Sequence, residues 1–299
     1  MISILMATYN GARFVSQQIE SILAQSYPDF VLFVNDDVST DGTYDIAVEF
    51  SEKYPAKIFV SRNQVNSGGA KHNFLNMMID HKDDYVMLCD QDDVWLPDKI
   101  KDTLEKMKQQ ERKYPNTPIL VHSDLKLVDA ELNIIAPSYE KAMNSRFSRT
   151  AFHQVLIQNT FAGCSAMYNR AAADLIVSKP PYCVMHDWWL ELVVATFGHI
   201  AHITEPTILY RQHSDNLIGA NVKRNFTAAD IKSAIHATFK QAESLFELYE
   251  NDLTEVQRFI LKKYCAIPNT NKLRRWLSMC RLGTFKIGLK RNIALFLYV

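Results

Sequence analysis

Three acidic turns and one late histidine carry most of the chemistry this chain could do. Asp90, Asp92 and Asp93 crowd one turn, Asp36 and Asp37 are adjacent, and Asp187 follows His186 ahead of Trp188 and Trp189. Carboxylates as close as Asp90, Asp92 and Asp93 repel one another unless a cation or hydrogen-bond donors compensate. Hard oxygen ligands of this kind suit Mg2+ or Mn2+, shared with substrate phosphates; the alternative is a solvated acidic turn capping the next helix. Asp37 is placed to accept from a base N–H or a ribose hydroxyl. The competing role is a turn and helix cap within Ser39-Thr40-Asp41-Gly42, which fits Asp41 better than Asp37. Asp187 opens an amphipathic stretch, where the helix dipole holds a carboxylate ionised and suits it to general-base work, or simply to capping. Two adjacent tryptophans cannot both face one core, so one of Trp188 and Trp189 lines a cleft and offers a flat face to a sugar. His213, in Tyr210-Arg211-Gln212-His213, is either a ligand or a satisfied structural histidine.

These residues need a scaffold, and the apolar pattern supplies one. Ile2–Thr8, Phe30–Asn35, Lys57–Ser61 and Tyr85–Cys89 are short, largely apolar runs that read as strands. Between and after them, Val15/Ile19/Ile22/Leu23, Ile46/Ala47/Phe50, Phe74/Met77/Met78 and Leu96/Ile100/Leu104/Met107 follow helical spacing. Alternation of this type predicts an α/β fold with a mostly parallel sheet flanked by helices. Ligands in such sheets bind beyond the carboxyl ends of the strands, where Thr8-Tyr9-Asn10, Asn35-Asp36-Asp37 and the Asp90 turn fall. Further strands are expected at Ile119–Val128, Ala162–Tyr168 and Thr207–Arg211, with a helix after His186-Asp187. Beyond about residue 216 only helices are expected, dividing the chain into 1–216 and a helical C-terminal region, 217–299.

Composition excludes disorder, collagen-like repeats and a uniformly basic nucleic-acid binder: 47% of residues are hydrophobic, and 33 Lys+Arg balance 33 Asp+Glu. That balance hides a gradient. Residues 256–299 hold ten basic residues and no acid, leaving 23 basic against 33 acidic groups, a net −10, in residues 1–255. Such asymmetry points to an anionic partner for one end. The five cysteines include no CxxC pair, so neither a zinc knuckle nor a disulfide framework is expected, and a reducing, cytoplasmic setting fits. No signal peptide and no apolar run long enough to span a bilayer is read.

Met6-Ala7-Thr8-Tyr9-Asn10-Gly11, Asn35-Asp36-Asp37-Val38-Ser39-Thr40-Asp41-Gly42-Thr43 and Asp90-Gln91-Asp92-Asp93-Val94-Trp95-Leu96-Pro97 together resemble the family 2 inverting glycosyltransferases. The last motif is most similar to bacterial rhamnosyltransferases of polysaccharide assembly. The resemblance covers roughly residues 2–216, with one departure: Val38 stands where the family usually has Gly. It implies a GT-A fold and a nucleotide-sugar donor. By motif position it implies Ala7 and Tyr9 near the base and ribose, Asp37 on the pyrimidine, Asp90 on the ribose or sugar, and Asp92 on a divalent metal, Mn2+ or Mg2+. It further implies Asp187 as catalytic base, His213 at the metal or diphosphate, and Asn66 and Lys71 flanking the donor. The activity implied is metal-dependent transfer of L-rhamnose from dTDP-β-L-rhamnose, with inversion, to a lipid-linked saccharide in cell-surface polysaccharide assembly. The alternatives are a UDP-hexose donor (Glc, Gal or GlcNAc) or a catalytically silent nucleotide-sugar-binding scaffold. In the basic region, Leu273, Trp276, Leu277 and Cys280 share a helical face bordered by Arg274, Arg275 and Arg281. This resembles an interfacial helix for an anionic membrane surface, implying a peripheral location on the inner face of the cytoplasmic membrane. The competing expectation is a basic face packed on the acidic body or in a homodimer.

Overall fold

The computed structural model describes residues 1–213 and 227–299. The expected division at 216/217 therefore lies outside the described residues. In chain order the elements are β1 (Ile2–Thr8), α1 (Val15–Leu23), β2 (Phe30–Asp36), α2 (Thr43–Lys53), β3 (Ile58–Arg62), α3 (Ala70–Asp80), β4 (Tyr85–Cys89), β5 (Val94–Trp95), α4 (Lys99–Lys113), β6 (Ile119–Val128), β7 (Ile134–Ala136), α5 (Tyr139–Ala142), α6 (Phe152–Val155), β8 (Met167–Asn169), α7 (Arg170–Ala173), α8 (His186–Phe197) and β9 (His199–Arg211). The C-terminal helices are α9 (Ala228–Tyr249), α10 (Glu255–Cys265), α11 (Lys272–Leu282) and α12 (Leu289–Tyr298).

The described strands form one sheet in the order β3-β2-β1-β4-β8-β6-β9-β5, with β7 beside β6. The chain runs outward from β1 through β2 to β3, then returns by α3 to pair β4 on the other side of β1. All three of those pairings are parallel. The order reverses at β1 and β4, and such a switch point leaves a crevice beyond the strands' carboxyl ends. The other half is mixed: β8 is antiparallel to both β4 and β6, whereas β6 and β9 run parallel.

Period-2 alternation puts successive β1 side chains on opposite faces. Ile2, Ile4 and Met6 join α1 and α4 residues such as Val15, Ile19, Ile100 and Leu104 in one core. Leu5 faces a second core with Phe74 and Met78 of α3 and Trp189, Leu190 and Val193 of α8. The C-terminal helices complete this second core through Phe239, Leu245, Leu261, Tyr264, Met279 and Leu295, so they share a core with the sheet.

Two expected strands need correction. Ala162–Tyr168 is strand only from Met167, because Gly163–Ser165 winds into a 3-10 turn closed by Ser165 N–H and Oγ donating to the Ala162 carbonyl. The last strand begins eight residues earlier than Thr207, since His199–Ile203 continues the parallel ladder on Ile119–Ser123 despite its polar side chains.

Candidate active site

The crevice at the switch point is a cavity of about 800 Å³. Its donor-side wall is Ala7, Thr8 and Tyr9 after β1, Asp37 after β2, Asn66 and Gly68–Gly69 before α3, and Asp90, Gln91 and Asp92 after β4. Its opposite wall is Tyr139, Met143, Asn159, Phe161, Ala162, Gly163 and the first turn of α8, including Asp187 and Trp188.

On the donor side, Asp36 and Asp37 separate into two roles. Asp36 is fully buried and structural: it accepts from Ser39 N–H (2.9 Å) and Thr8 Oγ1, and pairs with Arg62 at 3.3 Å. The Asp37 carboxylate faces the cavity, oriented by Asn63 Nδ2 and Ser67 N–H (both 2.7 Å) and by Ser67 Oγ at 2.8 Å. Asn66 Nδ2 donates to the Asp37 carbonyl at 2.9 Å, and Asn66 Oδ1 accepts from Gly68 N–H. Val38, between these turns, has φ +66°, the left-handed region where a β-branched residue is strained. Asp41 braces the α2 entrance by accepting from Thr43 N–H and Oγ1.

Gln91 is a residue that sequence reasoning passed over. Its amide clasps the Tyr9 backbone in both directions, Tyr9 N–H to Oε1 at 2.9 Å and Nε2–H to the Tyr9 carbonyl at 3.0 Å. The clasp locks the ends of β1 and β4 together. It also accounts for Gly11, where a Cβ would sit 2.3 Å from the Gln91 amide carbon.

The Asp90 turn sorts its carboxylates by depth. Asp93 is fully buried, accepts from Arg211 N–H at 3.0 Å, and has ligand atoms of Asp90 and Cys164 within 4.8 Å. Burial and the charges of Asp92 and Asp90 push its carboxyl well above the usual range. Burial and the charges of Asp93 and Asp90 push the Cys164 thiol well up too, so it stays a protonated donor and is no ligand for a hard cation. Asp90 keeps a face to the cavity; burial, then Asp92 and Asp187, raise it to about 7. Asp92 Oδ2 meets His213 Nε2 at 2.9 Å across 121 positions of chain. Arg211 Nε donates to the Asp92 carbonyl at 2.7 Å and fixes this turn. Asp90 and Asp93, with Asp92 and its His213 partner beside them, make a carboxylate-rich set of hard oxygen atoms of the kind that fits a divalent cation.

Across the cavity, Asp187 sits in the first turn of α8, where dipole and orphan N–H groups favour its anion. Burial outweighs them and raises its carboxyl to about 6, opposed by Trp188 N–H, the Asn159 side chain and Gly163 N–H. Gly163 is required there: a Cβ would lie 3.0 Å from Asp187 Cβ and 3.1 Å from His186 Nε2. His186 stacks on Phe74 with centroids 4.2 Å apart, and burial lowers it to about 3, so it is a neutral packing residue. Glu191, one turn on from Asp187, is buried, accepts from Thr160 Oγ1 at 2.8 Å and is pushed up to about 8, chiefly by burial. It keeps its proton at neutral pH and adds no second charge beside Asp187. The i, i+4 spacing was the available signal.

Of the predicted site residues, Ala7, Tyr9, Asp37, Asn66, Asp90, Asp92, Asp187 and Trp188 meet at one cavity, and His213 joins through Asp92. Two do not. Trp189 is fully buried in the core against Tyr249, so it cannot touch an acceptor; Trp188 is the tryptophan on the cavity, its Nε1–H donating to the Val155 carbonyl at 2.7 Å. Lys71 turns its ammonium to the Cys183 carbonyl at 3.0 Å, tying α3 to the segment that leads into α8.

Comparison with known proteins bears on this geometry. The family model for glycosyl transferase family 2 matches residues 3–176, which carry the whole donor-side wall. The chain is 28% identical over 231 residues to the dTDP-rhamnosyl transferase RfbG of Shigella flexneri, covering 73% of this chain and 74% of that one. Among solved structures it resembles S. aureus TarS 1–349 in complex with UDP-GlcNAc, with TM-score 0.60 and 14% identity over 94% of this chain and 80% of that one. It also resembles the mannosyltransferase PcManGT from Pyrobaculum calidifontis in complex with GDP-Man and Mn2+, with TM-score 0.54 and 17% identity over 98% and 78% of the two chains. These two likenesses are of fold, and the fold is the predicted GT-A arrangement.

Proposed function

Because the chain belongs to glycosyl transferase family 2, we propose that it is a divalent-cation-dependent inverting rhamnosyltransferase. It would move L-rhamnose from dTDP-β-L-rhamnose to a hydroxyl of a lipid-linked saccharide in cell-surface polysaccharide assembly. The observation that carries the reaction class is a single cavity with strand-end acids on one wall and one buried, donor-braced carboxylate, Asp187, on the other. The likeness to a dTDP-rhamnosyl transferase supports the sugar.

In this reading Ala7, Tyr9, Asp37 and Asn66 receive the nucleoside, and Trp188 offers its ring to the acceptor sugar. Asp90, Asp92 and His213 would hold Mn2+ or Mg2+, which when bound neutralises charge developing on the leaving diphosphate. Asp187 accepts the acceptor hydroxyl's proton as that oxygen bonds to the anomeric carbon. The bond to the nucleoside diphosphate breaks, and its electron pair leaves with the diphosphate. One base on one face suffices for displacement with inversion, and no carboxylate nucleophile is needed.

The test is nucleotide release from a donor panel with Mn2+ and a saccharide acceptor: dTDP-β-L-rhamnose, UDP-Glc, UDP-Gal and UDP-GlcNAc. Turnover of the rhamnose donor, abolished by EDTA and restored by Mn2+, is expected. Turnover of a UDP-hexose instead overturns the sugar, and no reaction with any donor favours a silent scaffold.

A further inference from the structure

Helices α11 and α12 turn an apolar face outward. On α11, Leu273, Trp276, Leu277 and Cys280 are exposed at i, i+3, i+4 and i+7, while Met279 points into the core. On α12, Leu289, Ile293 and Leu297 are 77%, 51% and 55% exposed at steps of four, while Leu295 is buried. The two helices meet where Trp276 Nε1–H donates to the Phe296 carbonyl at 2.8 Å and Arg275 Nη1 to the Val299 carbonyl at 3.0 Å. Large side chains grouped on one surface in this way mark an interaction site.

The charge around the face selects its partner. Lys272, Arg274, Arg281, Lys290 and Arg291 are all exposed on these two helices, within a 44-residue stretch that holds no acid. Among the described residues, no ion pair joins a base of residues 256–299 to a carboxylate of the body. Lys272, Arg274, Arg281 and Lys290 are thus exposed bases with no carboxylate partner among the described residues. A second copy meeting this face symmetrically would set cation against cation. An anionic bilayer takes both features, apolar side chains into the acyl boundary and bases onto lipid headgroups.

The face also adjoins the acceptor wall of the cavity. Arg291 Nη2 donates to the carbonyl of Met143, which lines the cavity, at 3.1 Å. Ile287 N–H donates to Gln158 Oε1 at 2.8 Å, next to cavity-lining Asn159, and Arg149 is tied to the Phe285 carbonyl.

We propose that the α11–α12 face docks on an anionic bilayer and thereby holds the acceptor side of the cavity at the lipid surface. The docking stands without the proposed reaction; its use in presenting a lipid-linked acceptor rests on that reading.

The experiment is flotation of the full chain, without donor, on vesicles of phosphatidylglycerol with phosphatidylcholine and on phosphatidylcholine alone. Binding to the anionic vesicles only, weakening at 0.5 M NaCl against about 0.05 M, is expected. Each base near such a surface contributes about fivefold in binding, so Arg274→Glu with Lys290→Glu should weaken it at least about 25-fold. Ile293→Glu with Leu297→Glu should abolish it. Both variants should keep wild-type turnover on a water-soluble acceptor, which separates lost docking from lost folding. A wild-type chain that turns over donor yet stays unbound at low salt overturns the proposal. So does a dimer, by sedimentation, that the Ile293/Leu297 variant dissociates. Flotation without turnover of any donor would sink the proposed reaction and leave the docking surface standing.

Discussion

The two walls of the cavity hold their carboxylates in opposite ways. On the donor wall burial and then the Asp92 charge raise the carboxyls of both Asp90 and Asp93, and Asp90 adds to the rise at Asp93. On the acceptor wall Asp187, in the first turn of α8, is raised by burial and steadied by three donors, and its charge in turn helps raise Asp90. In the proposed reading the first arrangement would take up a cation and the second, its carboxyl raised to about 6, would accept a proton. Neighbourhood alone would then give aspartate two different roles in one site.

The sharpest way to break this contrast is Asp187→Asn. A general base supplies on the order of 10²–10⁴-fold in rate, so kcat should fall about a thousandfold while donor affinity, measured by calorimetry with Mn2+, stays within about twofold. The wild-type enzyme should also lose activity about tenfold per pH unit below pH 6, because protonated Asp187 cannot accept the hydroxyl's proton. Its folded value is raised, so the limb lies above the ordinary aspartate range, nearer pH 6 than pH 4. A flat profile down to pH 4.5, or an Asn variant with wild-type kcat, removes Asp187 from the base role.

A smaller effect sharpens the same contrast. Gly163→Ala forces a methyl against Asp187 Cβ and His186 Nε2 without touching the donor wall. The neighbours must give by a few tenths of an ångström, well short of the roughly 1 Å that costs about a hundredfold, so kcat should drop severalfold, to about tenfold at most, with KM for the donor unchanged. A rise in donor KM instead would mean that the two walls do not act separately.

The walls also differ in how far the sequence alone predicts them. The donor wall is local: apolar strands end in short turns, and the turn residues must face the crevice. Tyr9, Asp37 and Asp90 follow from that rule with no knowledge of distant contacts, whereas Ala7 comes only with the family motif. The acceptor wall is assembled from Tyr139–Gly163, where the helices α5 and α6 span only four residues each and leave no periodicity to read. Apolarity alone made Ala162–Tyr168 look like a strand, because the need for Gly163 to pass against Asp187 is a long-range fact. The tryptophan pair failed for a related reason. Trp189, Leu190, Leu192, Val193 and Val194 of α8 are all buried, so no polar stripe tells which tryptophan faces the cavity. Gln91 and Lys71 depend on partners 82 and 112 positions away, beyond the reach of local pattern.

The smallest expected effect tests the left-handed turn of the donor wall, which falls on a β-branched residue, whereas the left-handed position of the acceptor wall is Asn144, a type that tolerates it. Val38 holds φ +66° in the turn between Asp37 and Ser39, and it is only partly buried. A left-handed conformation costs an L-residue about 1–2 kcal/mol, and more for a β-branched one. Glycine escapes that cost but loses about 0.5–1 kcal/mol of chain entropy on folding. The balance favours Val38→Gly by roughly 0.5–1 kcal/mol, which for a chain of this size is a rise in Tm of about 1–3 °C. Asp37 is oriented by Asn63 and Ser67, not by Val38, so donor KM should not move. A lower Tm would show that the valine side chain contributes more by packing than its backbone loses. A changed KM would show that the strained turn sets the nucleoside pocket, tying the donor wall's geometry to the backbone of Val38.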